Sequence, residues 1–193
     1  MSISVYAYSQ SRVEKYLDST LLQFKKESKT DQRDMKVFSL LQSFYDEALQ
    51  SDEGELSTTT AAKLSSYVSD KKLKNRHLLF LFLMYQDHIS QTAAQGQSPN
   101  VEFQLACVNL LETEMQDVYT KVPAIVYIYK VEALQSSGHK DALLAYLDTG
   151  MKEFPNSVPL KVYKYLSSKD ETIRRDLIEN HTRHWMVRHF GLK

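Results

Sequence analysis

The run Leu78-Leu79-Phe80-Leu81-Phe82-Leu83-Met84-Tyr85 decides how this chain is read. It is the longest apolar run in the sequence. As a helix it spans about 12 Å, against a bilayer core of about 30 Å. It therefore reads as a buried helix, not as a membrane span. No single face of the run is left for water, which places Leu78, Leu79, Leu81, Phe82 and Tyr85 at the centre of a core. The helix that carries it extends from Arg76 to about Ala94 and becomes amphipathic in its second half.

Stripes of period 3.6 recur on both sides of this run. Upstream, Val13, Tyr16, Leu17, Leu21, Leu22 and Phe24 mark a first helix. A second is expected from Thr30 or Asp31, on the stripe Met35, Val37, Phe38, Leu41, Phe44, Tyr45, Ala48 and Leu49. Ser51-Asp52-Glu53-Gly54-Glu55 reads as a surface loop, with a serine in the acidic setting that an acid-directed kinase modifies. Ser57 or Thr58 caps a third helix through Ala61, Leu64, Tyr67 and Val68. Downstream, the turn from Gln95 to Asn100 leads into a fifth helix, from Phe103 to Tyr119. Pro123 opens a sixth, and Gly138 closes it as a left-handed cap. A seventh helix runs from Lys140 to Phe154 and stops at Pro155. Ser157 caps an eighth, with Pro159 in its first turn. A ninth is expected from Glu171 to about His189. Ser2 to Tyr8 alternates briefly but has no partner strand, so residues 1–11 read as an irregular terminus.

The expectation is one all-α domain, residues 1–193, of eight or nine helices. Short connections make neighbouring helices antiparallel, so the hairpins stack as a short α-solenoid or a compact helical array. Helix should exceed about 60% of the chain, twice the ordinary share.

Composition agrees. The chain has 193 residues, of which 42% are apolar and 25% charged. That is long enough to bury a core without a metal or disulfide staple. Five glycines and four prolines are too few for the turns of a β-sandwich or an α/β nucleotide fold. Lys and Arg number 24, and Asp and Glu number 24. This balance weighs against a dedicated nucleic-acid binder while leaving room for a local basic patch. The lone Cys107 cannot form an internal disulfide and suits a reducing compartment, cytoplasm or nucleus. No signal peptide or lipidation motif is recognised at either end.

The stretch from Tyr127 to Tyr165 resembles a tetratricopeptide repeat. Two helices of similar length meet at Gly138. Small Ala142, large Tyr146 and terminal Pro155 follow, matching in type the close-approach, pocket-filling and closing residues of that family. The resemblance implies a TPR-like helical-hairpin architecture over residues 127–165 and a protein-binding role.

Two segments are candidates for function. The C-terminal helix, 171–193, is mildly basic and aromatic. Its His181, His184 and Arg188 are expected on one face and Trp185 and His189 on another. In the plain reading, Trp185 and Phe190 only dock this helix. In the functional one, Arg183, His184, Trp185, Arg188, His189 and Phe190 form a partner-binding surface, because Trp and Arg dominate interface energetics. The second segment is Lys71, Lys72, Lys74 and Arg76, with His77. It reads as a solvated inter-helix loop or, with 181–193, as the contact surface of a nucleic-acid-associated protein. No aromatics interleave its charges to stack on bases.

Three histidines without a cysteine or carboxylate to close the set do not make a metal site. Cys107, within Leu105-Ala106-Cys107-Val108, reads as a buried structural thiol. No glycine-rich phosphate loop, nucleophile elbow or zincin motif is present. The expected function is a non-enzymatic scaffold or adaptor subunit with one or more protein partners. Neither membrane insertion nor a cofactor nor a small-molecule substrate is expected.

Overall fold

The computed structural model describes residues 11–192. The terminus read as irregular lies outside these residues, except Ser11. Ser11 is the N-cap of α1 (Arg12–Lys26): its hydroxyl accepts from Glu14 N at 3.1 Å, and the Glu14 carboxylate accepts from Ser11 N at 2.8 Å. This reciprocal pair satisfies two backbone donors that a helix start otherwise leaves open. There follow α2 (Lys36–Phe44), extended by a π-helical turn at Tyr45–Leu49, and α3 (Thr58–Ser69). Then come α4 (Arg76–Ala94), α5 (Val101–Tyr119), α6 (Ala124–Ser137), α7 (Lys140–Glu153), α8 (Val158–Ser168), α9 (Glu171–Asn180) and α10 (Trp185–His189). Helix makes up 73% of the described residues, and no strand occurs among them. The all-α array is the fold that the stripes predicted.

From α4 to α9 each helix packs on the next, as a hairpin stack requires, and α10 packs on α8, while α1 and α2 fold back across α4, α5 and α6. The apolar run explains why α4 takes the middle. Leu78, Leu79, Leu81, Phe82 and Tyr85 are all 0% exposed. Each such side chain contributes about 1.5 to 3 kcal/mol on burial. Phe82 meets Phe44 edge-on at 5.4 Å, and Tyr85 stacks on Tyr129 at 4.7 Å. The Tyr85 hydroxyl donates to Tyr129 O at 2.9 Å, so its polar end is satisfied inside the core. A smaller second core gathers Val158, Val162, Leu177, Met186 and Val187 between α8, α9 and α10.

Caps set the hairpin turns. Ser57, Asn100, Ser157 and Asp170 each accept a backbone N–H of the helix they open. Gly138, at φ 74°, is the expected left-handed cap of α6. Tyr127 packs between Tyr146 and Phe154, with ring centroids 5.2 and 5.3 Å away. Ala142, to which the tetratricopeptide resemblance gave the close-approach role, is exposed. Gly150 is the buried small residue of α7, and a Cβ there would lie 3.1 Å from Tyr127 and 3.2 Å from Leu160.

Three boundaries differ from expectation. The second helix starts at Lys36, not near Asp31, because Asp31 and Asp34 turn their carboxylates onto Arg33 N and Lys36 N and hold the chain in turns. The end of α2 widens into the π-helical turn, whose Glu47 carboxylate accepts from Ser57 N at 2.9 Å and from the Thr60 hydroxyl at 2.7 Å. The expected ninth helix, from Glu171 to His189, is two helices separated by a turn. Among the described residues there are therefore ten α-helices, not eight or nine.

Candidate partner-binding surfaces

The break in the C-terminal segment changes the meaning of its residues. His184 is not a face residue of a long helix. It caps α10, its Nδ1 accepting from Met186 N at 3.2 Å, and it is 2% exposed. Burial lowers its pKa, and the accepting role of Nδ1 puts the proton of the neutral ring on Nε2. The expected face shared by His181, His184 and Arg188 does not form.

Trp185, half-buried, donates from Nε1 to Leu49 O at 3.3 Å. Its indole lies over Gly54, where a Cβ would come within 2.7 Å of the ring. Gly54 is at φ 73°, so the loop needs glycine for conformation and for room. Arg188 donates from Nη1 to Arg183 O at 2.7 Å and from Nη2 to Asp52 O at 3.2 Å. Arg183 pairs with Asp52 at 3.4 Å while its side chain stays 87% exposed. The 50–57 loop is held from its other side too. Gln50 accepts from Val158 N at 3.0 Å and donates to Asn156 O at 3.1 Å. The Ser51 hydroxyl, read from sequence as a modification candidate, donates to Glu47 O and accepts from Gly54 N at 3.0 Å.

Of the six residues expected to form this surface, Arg183, Arg188, His189 and Phe190 are exposed, Trp185 is half-buried and His184 is core. His189 meets Phe190 edge-on at 5.0 Å and lies 6.2 Å from the Trp185 ring. Asp52 and Gly54, which frame the surface, are missed from sequence because local spacing says nothing about a loop so distant along the chain.

The second basic segment also changes composition. Arg76 turns away: its Nη2 donates to Val68 O at 2.7 Å, and its guanidinium lies 4.4 Å over the Phe80 ring. In its place the fold brings Lys26 and Lys29, from the end of α1 and the turn after it, to Lys71, Lys72 and Lys74. Together they line one groove of about 550 Å³.

Asn75 joins the two turns. Its N donates to Lys29 O at 2.9 Å, and its Oδ1 accepts from Asp31 N at 2.8 Å. Its Nδ2 reaches Asp31 O at 2.7 Å, Asp34 O at 3.1 Å and the Tyr119 hydroxyl at 3.0 Å. Beneath lies His77, 0% exposed, with Nδ1 3.3 Å from the Ser28 hydroxyl. Burial, helped by the nearby Lys25 charge, pushes its pKa down to about 4. At neutral pH its 3.7 Å approach to Glu114 is therefore not an ion pair; Glu114 pairs instead with Lys25 at 2.6 Å.

Other polar groups staple the array. Glu112, on α5, receives Lys130 and the Tyr146 hydroxyl. Glu132 accepts from the Tyr163 hydroxyl at 2.6 Å, and burial raises its pKa. Cys107 is 0% exposed, its thiol pushed up to about 12 by burial, which is the inert setting expected of it. Among the described residues no three His, Cys, Asp or Glu side chains converge as a metal-ligand set. No described helix is long and apolar enough to cross a membrane. Comparison with family models, with curated proteins and with solved structures finds no match.

Proposed function

We propose that this chain is a non-enzymatic scaffold or adaptor subunit that docks a partner protein on its C-terminal surface. One observation carries the reading: Arg183, Arg188, His189 and Phe190 are exposed around half-buried Trp185, on a backbone fixed to the 50–57 loop. Exposed arginine and aromatic side chains supply most binding energy at protein interfaces, and a fixed backbone lowers the ordering cost of association. The tetratricopeptide resemblance over residues 127–165 supports the same role. The unpaired Cys107 supports a cytoplasmic or nuclear setting.

The test is quantitative affinity purification from the cells that make the protein, comparing the wild type with Arg183→Glu/Phe190→Asp. Partners held by the wild type should be lost from the variant while its circular dichroism stays the same. Recovery of the same partners in the same amounts would exclude this surface as the docking site.

A further inference from the structure

The lysine groove carries an inference independent of the C-terminal surface. Its lining holds Lys26, Lys29, Lys71, Lys72 and Lys74, with Glu27 the single acid. Five lysines against one glutamate leave four positive charges. Among the described residues no carboxylate lies within ion-pair distance of any of the five ammonium groups, although Lys25, the preceding residue, is paired with Glu114. Lining one groove, these like charges oppose one another, to a degree that added salt screens.

The fold nevertheless fixes these lysines together. Asn75 sits at φ 57°, is 0% exposed, and ties the two lysine-bearing turns to each other through backbone groups. Leu73, 3% exposed, anchors the second turn into the main core between Lys72 and Lys74. The backbone under the charge cluster is therefore built, not a solvated tail.

We propose that this groove binds a compact anion bearing several phosphate monoesters, of the inositol polyphosphate kind. The volume falls within the roughly 300 to 1,000 Å³ of small-molecule sites. Lysine supplies a compact charge with three rotatable donors, which suits the tetrahedral oxygens of phosphate. Each phosphate monoester carries about −1.5 to −2 at neutral pH, so two or three of them neutralise the groove. Arg76 is committed to Val68 O, so the positive charge of the groove comes from lysine alone. No aromatic ring lines the groove to stack a base, which disfavours single-stranded RNA.

The test titrates the full chain with inositol hexakisphosphate in physiological salt, by calorimetry and thermal melting. Saturable binding should appear, with a rise in Tm because the anion bridges two turns of the folded state. Lys29→Glu/Lys72→Glu should weaken it by about tenfold or more, through loss of two attractions and gain of two repulsions. Lys140→Glu/Lys152→Glu, on α7, makes the same change in net charge outside the groove and should leave affinity unaltered. Circular dichroism checks that each variant is folded.

Vesicles containing phosphatidylinositol bisphosphate separate the sources of the shared chemistry. Sedimentation with them, reversed by the free polyphosphate, assigns a lipid headgroup; no sedimentation alongside free binding assigns a soluble anion. Three results would overturn the proposal. One is no heat and no Tm shift at millimolar hexakisphosphate. Another is equal loss in the α7 control. The third is tighter binding of an unstructured RNA oligonucleotide, which would make the groove a nucleic-acid site.

Discussion

Gly54 and Trp185 show how single residues frame the C-terminal surface. A methyl group at Gly54 would strain a left-handed backbone and press on the indole. Gly54→Ala should therefore cost about 2 kcal/mol or more, read as a lower urea midpoint with unchanged slope. A loss within about 0.5 kcal/mol, as for an ordinary surface change, would mean that the loop can shift off the ring. The two arginines separate in the same assay. Arg183→Glu alters a side chain that is 87% exposed with one surface ion pair, and stability should stay within about 0.5 kcal/mol. Arg188→Glu removes donors from two backbone carbonyls and should cost about 1 to 2 kcal/mol. From sequence both arginines read alike, as members of one partner-binding surface. Arg188 is a staple, because its reach to Asp52 depends on a loop that no local pattern connects to it.

Among the elements, α4 was the most legible and the C-terminal segment the least. Eight consecutive apolar residues leave no solvent face, so the place of α4 follows from the hydrophobic effect alone. Leu81→Ala should cost about 2 to 5 kcal/mol in equilibrium unfolding, because its site is closed on all sides and can collapse only in part. A cost under about 0.5 kcal/mol would mean that the run is exposed and would recast it as a binding patch. The caps at Ser57, Ser157 and Gly138 were equally readable, since cap chemistry is local. The break between α9 and α10 was not. Its marker is a histidine that caps through Nδ1, and histidine is not among the preferred N-cap residues. Ala142 and Gly150 teach the same lesson: their type was visible, and which of them faces the neighbouring helix was settled by tertiary packing.

At the scale of the whole molecule, the lysine groove is the least legible feature, because three of its lysines lie in one turn and two in another far along the chain. Stability against pH is also a property of the assembled core. His77 titrates near 6.5 when unfolded and at about 4 when folded, since burial disfavours its charged form. A depressed pKa means that the unfolded chain binds more protons over that interval. Stability is thus complete above about pH 6.5 and falls as pH drops towards 4, by up to about 3 kcal/mol from this residue. Glu132, raised by burial, acts in the opposite sense and offsets part of the loss. His77→Gln should flatten the acid limb of a Tm-against-pH curve, whatever it does to Tm at neutral pH. An acid limb as steep as that of the wild type would show that His77 is not the group responsible.

The tie between Leu49 and Trp185 joins residues 136 apart in a chain whose other helices mostly meet their neighbours. Local hairpins form quickly, whereas a contact of such high order waits on the search of a long intervening segment. During synthesis the π-helical turn and the 50–57 loop emerge early and stay without their lid until residues 183–188 have been made. The surface proposed for partner docking is therefore completed only after α1 to α9 have been made, so a partner that reads it meets only molecules in which every helix of the main core has been synthesised.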